Sequence, residues 1–187
     1  MKFYLSMQSG FQQEIIILEV KTMSLKVILL NGASSSGKST LAKSLKKYMK
    51  DNKKEEYSII SIDDFLDMTV DEPIYEDDVF EVSQQLCQKA LNILKSGHGV
   101  IIDHVITSER IYKQLTEALK EYALIKVQVT CPLNELEKRE KERKNRCIGS
   151  AKASCEYLYP QKGYDLTLNT FELSQKECAE KICELLD

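Results

Sequence analysis

Apolar and polar positions along the chain fall into two alternating kinds of stretch. Short, nearly unbroken hydrophobic runs occupy about 26–30 (KVILL), 57–62 (YSIISI), 100–102 (VII), 124–129 (LIKVQV) and 164–168 (YDLTL). Their length and β-branched content predict strands, most of them covered on both faces. Between them, apolar residues recur at helical spacing over about 38–50, 76–95, 108–122, 133–147 and 174–186. Leu41, Leu45, Tyr48 and Met49 share one side of the first of these helices. Glu76, Asp77 and Asp78 open the second, and Gly97 lies just beyond its end. Asp71-Glu72-Pro73 breaks the chain before it, Cys131-Pro132 stops the fourth strand, and Gly149 opens a loop that runs to Tyr164. Strict alternation of strand and helix predicts an α/β fold in three layers, a five-stranded parallel sheet wrapped on both faces. Ligands of such sheets bind outside the carboxyl ends of the strands. The segment after the first strand, Asp63, Asp103, Pro132 and Asn169 are therefore expected along one edge.

Residues 1–24 stand apart from this pattern. Ile15-Ile16-Ile17-Leu18 is too short for the apolar part of an export signal, follows Gln12, Gln13 and Glu14, and has no small-residue cleavage pattern. We read 1–24 as an N-terminal appendage, either disordered or packed at a sheet edge, and 25–187 as a single domain.

The segment after the first strand carries the clearest chemistry. Gly32, Gly37, Lys38 and Ser39 stand at the fixed places of G-x-x-x-x-G-K-[ST], with a strand before and a helix after. Glycines let the backbone curl so that successive N–H groups face one anion, and the helix N-terminus adds partial positive charge. Gly32, Ala33, Ser34, Ser35, Ser36 and Gly37 are expected to form the cradle, with Thr40 following in the first helical turn. Lys38 would bring full charge to the β- and γ-phosphates, and Ser39 would ligate Mg²⁺. The expected ligand is a nucleoside triphosphate. No N-K-x-D motif occurs, so ATP is expected rather than GTP.

Three further groups fit this chemistry. Asp103 ends the buried run GVIID, where a carboxylate holds Mg²⁺ directly or through water. Asp63 and Asp64 end the second strand. Neighbours there point to opposite faces, and Asp63, with Asp64 as the alternative, is the expected base for an acceptor hydroxyl. In LNELEKREKERKNRC, a continuous helix would set Arg143 about 40° and Arg146 about 20° from Arg139 on a common face. Guanidinium suits bidentate contact with phosphoryl oxygens. The segment 133–149 is therefore expected to be a lid that excludes water. Phe65 follows the acidic pair on the acceptor side. His104 could line the acceptor site or bond Asp103, although a lone histidine is more often structural, and Tyr157, Tyr159 and Tyr164 could wall a pocket, with core packing as the default.

Composition narrows the partners. The chain has 187 residues, 43% of them hydrophobic, and a net charge of -3, which argues against binding nucleic acid or anionic membrane by bulk electrostatics. No apolar run approaches the ~20 residues of a membrane span. The six cysteines include no CxxC pair and read as free thiols of a reducing cytoplasm.

LNGASSSGKST, SIDDF, VIIDHV, REKERKNRCIG, the following Ala-Lys and GYDLTLNT together resemble the chloramphenicol phosphotransferase-like kinases. The resemblance runs over nearly everything after Met23. It implies a P-loop kinase of the nucleotide-kinase type with a helical lid, moving the γ-phosphate of ATP to a hydroxyl of a small molecule. Carried over by position, it assigns Asp63 as base, Lys38 and Ser39 to phosphate and Mg²⁺, and Arg139, Arg143 and Arg146 to the lid. Asn169 and Thr170 fall where the adenine is usually held. The acceptor half departs from the family. His104 replaces a second aspartate, Ser154 and Tyr159 replace a Gln and a His, and Glu76-Asp77-Asp78 is this chain's own. The implied acceptor is thus a chloramphenicol-like alcohol or another small metabolite, such as a nucleotide sugar or nucleoside. A regulatory nucleotide switch without an acceptor is the reading from another class.

Overall fold

The computed structural model describes residues 26–66, 75–143 and 148–186; the appendage over 1–24 and Arg146 lie outside the described residues. Strands β1 (Lys26–Asn31), β2 (Tyr57–Ser61), β3 (Gly99–His104), β4 (Ala123–Thr130) and β5 (Leu166–Asn169) form one parallel sheet in the order β2-β3-β1-β4-β5. Helices α1 (Lys38–Tyr48), α2 (Glu76–Lys95), α3 (Glu109–Ala118), α4 (Leu133–Glu142), α5 (Ser150–Tyr157) and α6 (Gln175–Leu186) complete the described domain. The central strand explains why its sequence shows no polar alternate. Ile28 and Leu30 pack on one face with α1 and α6, through Leu41, Leu45, Cys178 and Ile182. Val27 and Leu29 pack on the other with α2 and α3, through Leu86, Ala90, Ile111 and Leu115. Both faces of β1 are dry between its ends, so the four positions from Val27 to Leu30 are all apolar.

Register aligns the functional edge. Leu30 and Ser61 both pair with Asp103, so the carboxyl ends of β1, β2 and β3 lie side by side. α4 and α5 sit over this edge and are joined to it by a third, small cluster of Leu136 and Ala151 on Ala33, with Cys131 packed against it.

Several elements differ from their sequence-based bounds. α1 passes at Met49 into a single π-helical turn that ends on Lys54, which has a φ of 59°. α3 stops at Ala118, and β5 begins at Leu166. The larger differences concern the segment expected to form a lid. α4 ends at Glu142, and Arg143 is extended, with φ -89° and ψ 98°, so the helix expected to reach 147 is interrupted at 143; residues 144–147 lie outside the described residues. The buried positions of α4 are Leu136 and Glu140, so its last turn has no apolar side chain buried against the rest of the described residues. The helical spacing that would have stacked Arg143 over Arg139 therefore does not apply. The expected loop after Gly149 contains instead the two-turn helix α5, whose starting signal comes from outside its own sequence, as described below.

Candidate active site

The phosphate loop leaves β1 under tight steric control. A Cβ on Gly32 would lie 2.1 Å from the Val129 carbonyl oxygen, so only glycine lets the loop pass β4. Gly37 caps α1 with a φ of 94°, and Ser35 also takes a positive φ of 64°. Such left-handed positions turn successive N–H groups inward to make an anion nest. The hydroxyls of Ser34, Ser35 and Ser36 are buried without a hydrogen-bonding partner among the described residues, in a setting where buried polar atoms are nearly always paired. A cradle lined with these hydroxyls at the N-terminus of α1 fits a phosphate group. Lys38 is buried in the loop it serves, its Nζ donating to the Ala33 carbonyl at 2.9 Å. Thr40 is exposed in the first turn of α1.

The neighbouring strand supplies the fit for a divalent cation. Ser39 Oγ donates to Asp103 Oδ2 at 2.6 Å, so α1 and β3 place two hard oxygen ligands together beside the cradle. Mg²⁺ takes such oxygens sparingly and completes its shell with water and substrate phosphates. One strand further out, Asp63 and Asp64 lie in a 3-10 turn, Ile62–Asp64, directly after β2. The two carboxylates are used differently. Asp64 Oδ2 accepts from the Ser61 N–H at 3.3 Å while Ser61 Oγ accepts from the Asp63 N–H at 3.4 Å, so Asp64 is an exposed capping group. Asp63 is half-buried on the same edge as Asp103.

On the opposite side of the loop, Arg139 donates through Nε to Glu135 at 3.0 Å and through its guanidinium to the Thr170 hydroxyl at 3.3 Å. The Thr170 hydroxyl in turn donates to the Ser36 carbonyl at 2.6 Å. Arg139, Thr170 and the cradle thus form one connected unit. Asn169 uses its side-chain oxygen to accept from the Phe171 N–H at 3.0 Å, and Arg143 stands half-buried just past the end of α4.

His104 and Phe65 differ in character. Phe65 joins the core between α2 and the sheet, with Lys89 over its ring at 5.2 Å. His104 is fully enclosed, and neither ring nitrogen makes a hydrogen bond of normal geometry among the described residues. Burial lowers its pKa to about 4, assisted by the Lys38 charge and opposed by the Val105 backbone, so the ring is neutral near pH 7.

The structure also brings in residues that sequence reasoning left out. Glu140 is buried on α4, yet its carboxylate accepts from the Gly149 N–H at 2.8 Å and the Ala151 N–H at 2.7 Å. It caps α5 from α4, and the N-terminal dipole of α5 meets a negative charge. Ser154 of α5 then accepts from the Ser34 N–H of the phosphate loop at 2.9 Å. Asn31 is buried at the end of β1 and bonds to three separate places. An amide ending an apolar strand just before Gly32 was the available signal for it; Glu140 gave none, in a run of charge that reads as solvated.

Among the described residues, no helix is long and apolar enough to cross a membrane. No curated protein matches the chain by sequence. Its fold is that of P-loop kinases. The APS kinase of Mycobacterium tuberculosis, solved with AMPPNP and APS, superposes with a TM-score of 0.70 at 19% identity, over 87% of this chain and 98% of that one. A gluconokinase from Sinorhizobium meliloti gives 0.68 at 17% identity, over 87% and 92% of the two chains. The tunicamycin resistance protein of Deinococcus radiodurans gives 0.59 at 14% identity, over 85% and 94%. Sequence likeness is more specific than these folds, because the profile of the chloramphenicol phosphotransferase-like proteins matches residues 25–187, the whole span from the first strand to the last helix. The chain belongs to the chloramphenicol phosphotransferase-like family.

Proposed function

We propose that the protein is a small-molecule kinase that moves the γ-phosphoryl group of ATP to a hydroxyl of its acceptor. The observation that carries this reading is the place of Asp63, half-buried just after β2 at the strand-end edge that also holds the phosphate loop and the Ser39–Asp103 pair. Nucleotide binding alone does not need a carboxylate there; phosphoryl transfer to an alcohol does.

In this reading the loop amides of 32–39 and Lys38 hold the triphosphate and take up charge that develops at the β,γ-bridge. Mg²⁺, held by Ser39 and Asp103, would supply charge neutralisation between the β- and γ-phosphates. Asp63 accepts the proton from the acceptor hydroxyl. That oxygen forms its bond to the γ-phosphorus as the bond to the β,γ-bridging oxygen breaks, and ADP leaves. Arg139, with Arg143 and Arg146, adds guanidinium charge from the lid, and Asn169 and Thr170 flank the base. His104, neutral and fully enclosed next to Asp103, supports that side of the site from within the core rather than meeting the acceptor. The protein would act on a soluble metabolite or antibiotic in the cytoplasm.

The test is MgATP consumption by the full chain, alone and with a panel of hydroxyl acceptors that includes chloramphenicol, nucleosides and nucleotide sugars, beside Asp63→Asn. Acceptor-stimulated turnover that Asp63→Asn lowers by about 10²–10⁴-fold, with ATP affinity kept, is the expected result. Turnover that no acceptor stimulates and Asp63→Asn leaves unchanged would favour a nucleotide switch instead.

A further inference from the structure

Asn31 closes β1 one residue before the phosphate loop, and its side chain is fully buried. Its Nδ2 donates to the Tyr159 carbonyl at 2.8 Å and to the Tyr164 hydroxyl at 2.7 Å, while its Oδ1 accepts from the Ile106 N–H at 2.9 Å. The placement of oxygen and nitrogen is forced, since a backbone N–H only donates and a carbonyl only accepts. The Tyr159 N–H donates to the Ile106 carbonyl at 2.9 Å, so the two segments that Asn31 grips also grip each other. A leucine, like the two before it, would fill the volume. Burying an amide is unfavourable unless its bonds are made, and only a carboxamide of this length offers an acceptor and two donors at once.

The segments held in this way are not arbitrary. Ile106 follows Asp103 and His104 on the way into α3, and Tyr159 follows α5, its ring meeting Tyr112 edge-on at 5.7 Å between centroids. Resting on the kinase reading, we propose that Asn31 is a positioning residue. Its amide fixes the Ile106 and Tyr159 segments, as the acceptor-side wall, at a set distance from the root of the phosphate loop. Asn31 touches no reacting atom. It sets how far the acceptor hydroxyl stands from the γ-phosphate, and it acts through backbone rather than through charge.

The test uses the full chain with Asn31→Leu, Asn31→Asp and Tyr164→Phe. It measures residue-resolved amide exchange, MgATP affinity, and kcat and KM for the acceptor that the panel identifies. Asn31→Leu is expected to speed exchange at the Ile106 and Tyr159 amides about tenfold or more while those of Val100, Ile101 and Ile102 keep their rates. Asn31→Asp keeps the acceptor of the Ile106 N–H and loses the donors to the Tyr159 carbonyl and Tyr164 hydroxyl, so the Ile106 amide keeps its rate, while the Tyr159 N–H, bonded to the Ile106 carbonyl, exchanges faster only through loosening of its segment. Tyr164→Phe leaves Asn31 intact, covering the case in which the other two fail to fold, and should speed Tyr159 exchange about threefold. Acceptor KM rises about tenfold in Asn31→Leu, with MgATP affinity within about threefold of wild type. Unchanged Tyr159 exchange in the variants that fold, acceleration spread equally through β3, or parallel loss of MgATP affinity would each overturn the proposal. Failure of the kinase reading is told apart from these, because exchange and MgATP affinity are read without an acceptor.

Discussion

At the scale of single residues, the site depends on which oxygen holds which hydrogen. The Ser39 hydroxyl and the Asp103 carboxylate are 2.6 Å apart, a charge-assisted bond that a cation replaces by taking both oxygens as ligands. Asp103→Asn keeps the shape and removes the charge. The Mg²⁺ concentration for half-maximal activity should rise about tenfold or more, in a Mg²⁺ titration at fixed ATP. Cysteines give a second, independent check. Burial pushes the Cys87 thiol up to about 11, with the Ser83 side chain and its own backbone bond working against the shift. The folded value lies above the unfolded one near 9. This contribution to stability is therefore full below about pH 9 and is lost as the pH climbs through the folded value. At pH 8, iodoacetamide should label exposed Cys155 well before Cys87, as followed by peptide mass spectrometry.

At the scale of elements, two substitutions separate steric from polar control of the loop and lid. Gly32→Ala sets a methyl group 2.1 Å from a β4 carbonyl that belongs to the sheet and cannot move alone. A loss of about 1–3 kcal/mol by denaturant unfolding, with ATP binding abolished, is the expected outcome. Glu140→Ala leaves the Gly149 and Ala151 N–H groups without their acceptor. Stability should fall by about 1–3 kcal/mol, with faster amide exchange confined to α5. Since α5 bonds the phosphate loop through Ser154, the Glu140 contact ties α4 and α5 to the loop as well.

At the scale of the whole molecule, the sheet order β2-β3-β1-β4-β5 gathers the phosphate loop, Asp103 and Asp63 from strands far apart in sequence onto three neighbouring strand ends. A ligand that occupies this edge bridges several elements, so it should stabilise the domain as a unit. At 100 times its Kd, MgATP contributes about 2.7 kcal/mol by mass action. For a chain of this size that is about 5–10 °C in Tm. Differential scanning fluorimetry should show this shift with MgATP, and its loss in Lys38→Ala.

The sequence by itself determined the elements whose signals are local. Dry strands such as β1 announce themselves because both faces are covered, and the phosphate loop does so because only glycine meets its backbone demands. Strand ends followed from strand existence, which is why Asp63 and Asp103 stood out. Tertiary structure alone decided what depends on distant partners. α4 stops at Glu142 because its last buried side chain turns to another helix, and α5 exists because that same carboxylate caps it. The spacing of arginines could not reveal this, since periodicity describes a helix only where packing sustains one. Asn31 is the clearest case. Its residue type was visible, but its function rests on three bonds to Ile106, Tyr159 and Tyr164, which no pattern along β1 encodes.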